Sequence, residues 1–271
     1  MVKADRLAGT VTFPAGIPRV LCFHKLSDSF LIEGTWTTPA RFAAMIDRLL
    51  DRGWVFVDET AYLAALGSPS REHANAVFIT FDDGYAHLRD TALPILQKRE
   101  IPFHVFMVTD FAGRENTWEL SLGRKPTRHL TWDEIQEMSR HNVTFGSHTA
   151  SHNDVTRMDA AALAGDLARS RRDLEAATGK PVRTLSYPFG RYNAAAQAAA
   201  RAAGFDAAFS LYPKTHAGAA DRFALRRDPV YIIDPVWTIE RKLVPNWLYG
   251  WEETKGRAIN AVAVLTPLLK R

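Results

Sequence analysis

The sequence predicts an α/β fold whose mostly parallel sheet closes like a barrel, and three observations carry that prediction. Strand-like and helix-like segments alternate from near residue 18 to about residue 230, the pattern of repeated βα units. The units are too many for a small open sheet. The apolar run Ala76-Val77-Phe78-Ile79 also leads straight into Thr80-Phe81-Asp82-Asp83-Gly84. Polar groups therefore collect at the C-terminal end of a core strand, where barrel folds carry their chemistry.

In order, Arg19 to Phe23 reads as the first strand. Pro39 to Arg52 has helical spacing at Phe42, Met45, Ile46 and Leu49. A short strand at Val55 to Val57, a short helix from Thr60 to Leu66 and the strand from Ala76 to Phe81 follow, then a helix through Leu96. Phe103 to Val108 is the next strand. Thr131 to Arg140 reads as a helix with Thr131 as N-cap and Glu134 completing a capping box. Val143 to Ser147 is a strand, and Asp159 to Thr178 a long helix stopped by Gly179 and Pro181. Val182 to Tyr187, a helix from Asn193 to Ala203, Phe205 to Ser210 and Phe223 to Ile233 complete the alternation. Residues 1–233 are expected to form the barrel, with 234–271 a C-terminal extension.

The chain has 271 residues, 46% of them hydrophobic and 24% charged, with a formal charge of +4. This is the balance of an ordinary globular domain. No run of five or six like charges appears, and no basic stripe interleaved with aromatics, which argues against a nucleic-acid surface. The single cysteine, Cys22, excludes an intramolecular disulfide and a cysteine-rich zinc site; it reads as a buried thiol. The N-terminus lacks an apolar leader pattern, so the cytoplasm is the expected compartment.

An Asp-Asp pair at a strand end can divide its work, one carboxylate binding a metal and the other serving as a base. Alone, an Asp-Gly turn explains these residues equally well. A second motif, His148-Thr149-Ala150-Ser151-His152, follows the strand ending at Ser147. Histidines four apart can share one face of a helical turn and grip a cation. Placed past a strand end, they share a barrel face with Asp83, and two histidines with one carboxylate form a common catalytic zinc or iron set.

With these residues the chain resembles the NodB-homology polysaccharide deacetylases, carbohydrate esterase family 4, over roughly residues 18 to 232. Thr80 to Gly84 is similar to the family's first motif, His148 to His152 to its second, and Ser186-Tyr187-Pro188-Phe189-Gly190 to its third; Leu130 to Ile135 and Leu225-Arg226-Arg227 agree as well. The resemblance implies an irregular (β/α)7 barrel and hydrolysis of an N-acetyl group from an amino sugar of a polysaccharide, oligosaccharide or lipid-linked glycan. It implies Asp83, His148 and His152 as metal ligands, most simply for Zn2+ with Co2+, Ni2+ or Fe2+ as alternatives. It implies Asp82 as general base and the backbone N–H of Phe189 as oxyanion donor.

Two departures mark this chain. Many members carry an arginine in the third motif to position the base; Ser186 stands there, and Arg227 is the candidate replacement, ahead of Arg226. Many members also supply the general acid from a C-terminal Leu-x-His, which is missing after residue 230. Cys22-Phe23-His24-Lys25 instead resembles the N-terminal Tyr-His motif of the biofilm-polysaccharide deacetylase branch, which makes His24 the candidate acid. Two other readings stand beside this one: a metal hydrolase of a non-sugar amide, and a catalytically weak glycan-binding barrel.

The remaining histidines have ordinary readings. His87 is expected to face solvent and His104 to be a satisfied core group. His73, His129, His141 and His216 fall in loop-like contexts, His216 near enough a strand end to rim the cleft. Asp110 to His129 reads as a cleft-lining loop whose aromatics, Trp118 with Trp132 nearby, suit sugar faces, while core packing explains Trp132 equally well. In the extension, Trp237, Trp247, Tyr249 and Trp251 precede a short apolar helix from Ala258 to Leu269. It reads as a helix packed on the barrel or at a dimer contact, or as a peripheral membrane anchor.

Overall fold

In the computed structural model, which describes residues 16–29, 34–118, 127–211, 221–244, 251–252 and 254–259, the alternation becomes a barrel of parallel strands. The elements are β1 (Arg19–Phe23), β2 (Lys25–Leu26), β3 (Trp36–Thr37), α1 (Pro39–Asp51), β4 (Val55–Phe56), α2 (Glu59–Gly67) and β5 (Ala76–Phe81). Then come α3 (Leu93–Gln97), β6 (Phe103–Met107), α4 (Trp132–Met138), β7 (Val143–Ser147), α5 (Ala160–Thr178), β8 (Thr184–Ser186) and α6 (Ala194–Ala202). The last are β9 (Ala207–Ser210), β10 (Leu225–Arg226), β11 (Asp228–Pro229) and α7 (Ile239–Leu243).

Neighbouring strands run β1, β5, β6, β7, β8, β9, all parallel, with β4 an added partner of β5 and β2 paired separately with β3. Closure comes from a single short segment. β10 pairs with β9, and β11, one residue further on, pairs with β1. Leu225 to Pro229 is therefore the seventh stave, bonded to one sheet edge through its first half and to the other through its second. The long final strand expected over Phe223 to Ile233 is broken at Arg227 because the chain changes neighbours there.

Both faces of the staves are buried, so they read as near-continuous apolar runs. Along β5, Val77, Ile79 and Phe81 pack outward against Phe42, Met45, Ile46 and Leu49 of α1. Phe78 points inward with Val20, Phe106, Ala207, Phe209 and Leu225, and Tyr62, Leu63 and Leu66 of α2 join this inner cluster. Gly146 is required on the inner face of β7: a Cβ there would lie 2.5 Å from the His104 ring and 2.7 Å from that of Phe106.

Caps follow the sequence. Thr38, Asp58 and Asp159 cap α1, α2 and α5, Gly179 ends α5 at φ 67°, and the Thr131–Glu134 capping box forms. The stretch after β5 departs from expectation. Asp82 to Ala86 is not helical, and a π-helical turn at Leu88–Ala92 precedes α3. Pro94 has no N–H to bond back to Asp90, which accounts for the widened turn.

Candidate metal centre and catalytic site

Strand alternation builds the site. In β5 the inward positions are Phe78 and Thr80, and continuing the period of two puts Asp82 over the barrel interior. Asp83 then leaves the strand at φ 69°, followed by Gly84 at φ 66°. A Cβ on Gly84 would lie 2.2 Å from Met107 Sδ, so the turn needs glycine for space as well as conformation. The adjacent carboxylates therefore point to different places.

Asp82 is 2% exposed and meets the buried Arg227 as a fork: Nη1 donates to Oδ1 at 2.6 Å and Nη2 to Oδ2 at 2.7 Å. Arg227 Nη2 also donates to Ser186 Oγ at 2.8 Å, and its guanidinium lies 5.2 Å from the Phe106 ring centroid and 5.9 Å from that of Phe209. Burial alone would raise the Asp82 carboxyl, but the Arg227 charge, with His148 and His24 adding to it, holds it well below the ordinary range. Arg226 points elsewhere, pairing with Asp228. The guanidinium that forks onto the base thus comes from the break between β10 and β11.

Asp83, His148 and His152 bring one ligand atom each within 4.8 Å of one another. His148 Nε2 is 3.6 Å and His152 Nε2 3.4 Å from Asp83 Oδ1. These separations match the edges of a tetrahedron with ligand bonds of about 2.0–2.1 Å. Burial pushes both imidazoles down, so both are neutral and present a lone pair. On donor type, spacing and protonation, the three residues fit a divalent cation.

The histidine pair does not share a helical turn as expected. It sits on a loop with Thr149 at φ 67° and His152 at φ 58°. That loop is held from within: Asp166 on α5 accepts from the N–H groups of Ala150 (2.7 Å) and Ser151 (3.1 Å). Thr149 Oγ1 accepts from the His152 N–H, and Ser147 Oγ from that of Thr149. His148 Nδ1 bonds the Ser186 carbonyl at 2.8 Å. In sequence Asp166 stands out only as a polar residue on the apolar stripe of Leu163, Leu167 and Leu174, which does not say what it binds.

Among the described residues five non-glycine residues have positive φ, and four of them are Asp83, Thr149, His152 and Phe189. Backbone strain of this kind persists where surrounding structure enforces it, commonly at functional sites. Phe189, at φ 58°, follows β8 in the Pro188–Gly190 turn, and its ring lies 5.0 Å from that of His152. His24 follows β1, with Nε2 3.9 Å from Asp82 Oδ2; burial pushes its ring down to about 4. Cys22 is a buried thiol 3.5 Å from the same carboxylate oxygen, and burial pushes it up.

His129, which the sequence places in a loop-like context, supports the site. It is fully buried, bonds the Asp83 carbonyl at 2.8 Å and packs 4.8 Å from the Tyr85 ring. His87 is half-buried rather than facing solvent: Nε2 accepts the Leu26 N–H at 2.9 Å and the ring stacks on Tyr85. His104 is a satisfied core group bonded to Thr144 and Thr184. Trp132 is 36% exposed, so core packing does not explain it, whereas Trp118 lies against His152. In the extension, Trp237 and Trp251 are exposed, and Lys242 and Lys255 share Asp234 and Glu252. His216, Trp247, Tyr249 and most of the expected Ala258–Leu269 helix lie outside the described residues, and no described helix is long and apolar enough to cross a membrane.

Comparison with known proteins points to one family. The family model for polysaccharide deacetylase matches residues 70–208, about half of the chain. A Bacillus subtilis protein named as a polysaccharide deacetylase, YxkH, is 28% identical over 218 residues, covering 79% of this chain and 71% of its own. The poly-beta-1,6-N-acetyl-D-glucosamine N-deacetylase of Staphylococcus aureus is 29% identical over 143 residues; the match spans 51% of this chain and 49% of that relative's length. In fold, the chain is similar to the Streptococcus pyogenes deacetylase PplD, solved with acetate (TM-score 0.74, 20% identity, 86% of this chain and all of that one). It is also similar to IcaB from Ammonifex degensii (TM-score 0.69, 24% identity, 89% of this chain and all of that one).

Proposed function

This chain belongs to the polysaccharide deacetylase family, and on that premise we propose that it is a metal-dependent hydrolase that removes N-acetyl groups from amino sugars of a glycan. One observation carries the reading. Of two adjacent buried carboxylates, Asp82 is locked to Arg227 inside the barrel, while Asp83 turns toward the Nε2 atoms of two neutral histidines. Such a division gives one carboxylate to the metal and keeps the other as a base.

Asp83, His148 and His152 would hold the divalent cation, Zn2+ foremost, which when bound supplies Lewis-acid activation of water and of the amide carbonyl. Asp82, kept ionised by Arg227, accepts the proton of the attacking water. Arg227 fixes the carboxylate plane with its rigid fork. The Phe189 N–H donates to the oxygen on which negative charge develops. His24 is neutral at pH 7 in the resting site. The proton it gives the departing amine is one it first receives, and Asp82, 3.9 Å away, is the near source.

The staphylococcal relatives support a polymer of N-acetylglucosamine as substrate. Acetate release from N-acetylglucosamine oligomers tests the reading. Zinc-loaded wild type is expected to release acetate, and Asp82→Asn to retain zinc while losing turnover by about 10²–10⁴-fold. Full activity in Asp82→Asn would remove the base assignment.

A further inference from the structure

The two histidines of the centre are oriented by different means. His148 ties Nδ1 to the Ser186 carbonyl at 2.8 Å, the usual way in which the second nitrogen of a metal-binding imidazole is fixed. His152 Nδ1 is buried and has no hydrogen-bond partner among the described residues. Its ring is held by aromatic contact instead. The Trp118 indole lies nearly parallel to it, 22° between planes and 4.2 Å between centroids, and the Phe189 ring meets it at 58° and 5.0 Å.

Trp118 is in turn fixed to the turn that presents Asp83. Its backbone N–H donates to Asn116 Oδ1 at 2.9 Å, and buried Asn116 donates through Nδ2 to Tyr85 Oη at 2.7 Å, two residues past Asp83. Phe111 meets the indole edge-on, 4.7 Å away at 82°. We infer that Trp118 is a positioning residue of the metal centre, its indole face setting the plane of the His152 imidazole as the Ser186 carbonyl sets that of His148.

The inference rests on the metal-dependent reading above. An indole face stacked on His152 is also unavailable to a sugar ring on that side, so Trp118 acts on the centre rather than as a platform for substrate. A flat contact restrains rotation of the imidazole about its Cβ–Cγ bond, which is the freedom that misaims Nε2. Losing the orienting group of a ligand typically costs about 10–100-fold in metal affinity.

Zinc affinity of the full chain, measured by competition with a chromogenic chelator, tests this for wild type, Trp118→Ala, Trp118→Leu and Trp118→Phe, with the visible spectrum of the Co2+-loaded proteins as a second readout. Trp118→Ala and Trp118→Leu are expected to bind zinc about 10–100-fold more weakly with altered Co2+ bands, and Trp118→Phe to recover most of the affinity. Folded Ala and Leu variants with wild-type zinc affinity and an unchanged Co2+ spectrum would overturn the inference while leaving the functional reading intact. Should Trp118→Ala fail to fold, Trp118→Leu, which keeps the bulk without the ring, decides the matter alone. A wild-type protein that binds no zinc would overturn the functional reading and this inference with it.

Discussion

Arg227 and Asp82 form a two-pronged ion pair inside the barrel, across 145 residues of chain, with N–O distances of 2.6 and 2.7 Å. The arginine arrives from the point where the closing stave changes neighbours, and the aspartate from the end of β5. Barrel closure and orientation of the base are thus one structural event. Ser186, at the third-motif position where the family resemblance leads one to expect an arginine, accepts from the incoming guanidinium of Arg227.

Removing Arg227 leaves a buried carboxylate unpaired, a loss that typically costs about 3–5 kcal/mol. Arg227→Met is expected to lower unfolding stability by roughly that amount in urea titrations. Arg227→Lys keeps the charge but not the fork, and acetate release is expected to fall at least about tenfold. Wild-type stability in Arg227→Met would contradict the account of the pair.

His24 tests the route of the proton. An amide needs its leaving amine protonated, whereas an activated ester does not. His24→Ala is expected to slow deacetylation of N-acetylglucosamine oligomers by about 10²-fold or more while sparing hydrolysis of a nitrophenyl ester. Equal losses on both substrates would exclude His24 as the acid.

Asp166 holds the loop that carries both histidines by accepting from two N–H groups, that of buried Ala150 and that of half-buried Ser151. Each buried donor left without a partner costs about 1–3 kcal/mol. Asp166→Ala is therefore expected to lose stability by at least that much and to bind zinc more weakly, since loop geometry aims His152. Asp166→Asn, which retains an acceptor oxygen, should lose less. Unchanged zinc affinity in a destabilised Asp166→Ala would separate the loop from the centre.

Glu59 makes stability depend on pH. Its carboxylate is buried beside Thr184 Oγ1, which donates at 2.7 Å, and burial pushes it up to about 7 from 4.5. The folded state then binds more protons than the unfolded state between these values, so this group's contribution falls as pH rises from about 4.5 through 7. The full shift corresponds to about 3 kcal/mol at most. Glu59→Gln is expected to flatten the profile and to gain stability relative to wild type at pH 8. Parallel stability–pH curves for the two proteins would contradict the placement of this charge.

Much of the fold was legible because its signals are local. β1, β5 and β7 have the bounds that apolar runs between turn residues suggest, and the capping box at Thr131 and Glu134 is a spacing rule that packing left intact. The division of the closing stave was not legible, because it arises from pairing with strands at opposite edges. The Asp82, Asp83, His148 and His152 set could be read from motifs at strand ends. The supports of that set could not. Asp166 reaches the histidine loop from α5, and His129 reaches the Asp83 carbonyl from a distant connection. The loop conformation of His148 to His152 was hidden for another reason. Spacing of four suits a helix, and nothing local announces two non-glycine residues with positive φ.

The central claim is that Asp83, His148 and His152 hold a metal on which hydrolysis depends. Metal content of the purified wild type beside His148→Ala tests it most directly. The account predicts about one divalent ion per chain in wild type and its loss in the variant. No bound metal in either protein after incubation with zinc, or equal content in both, would contradict it.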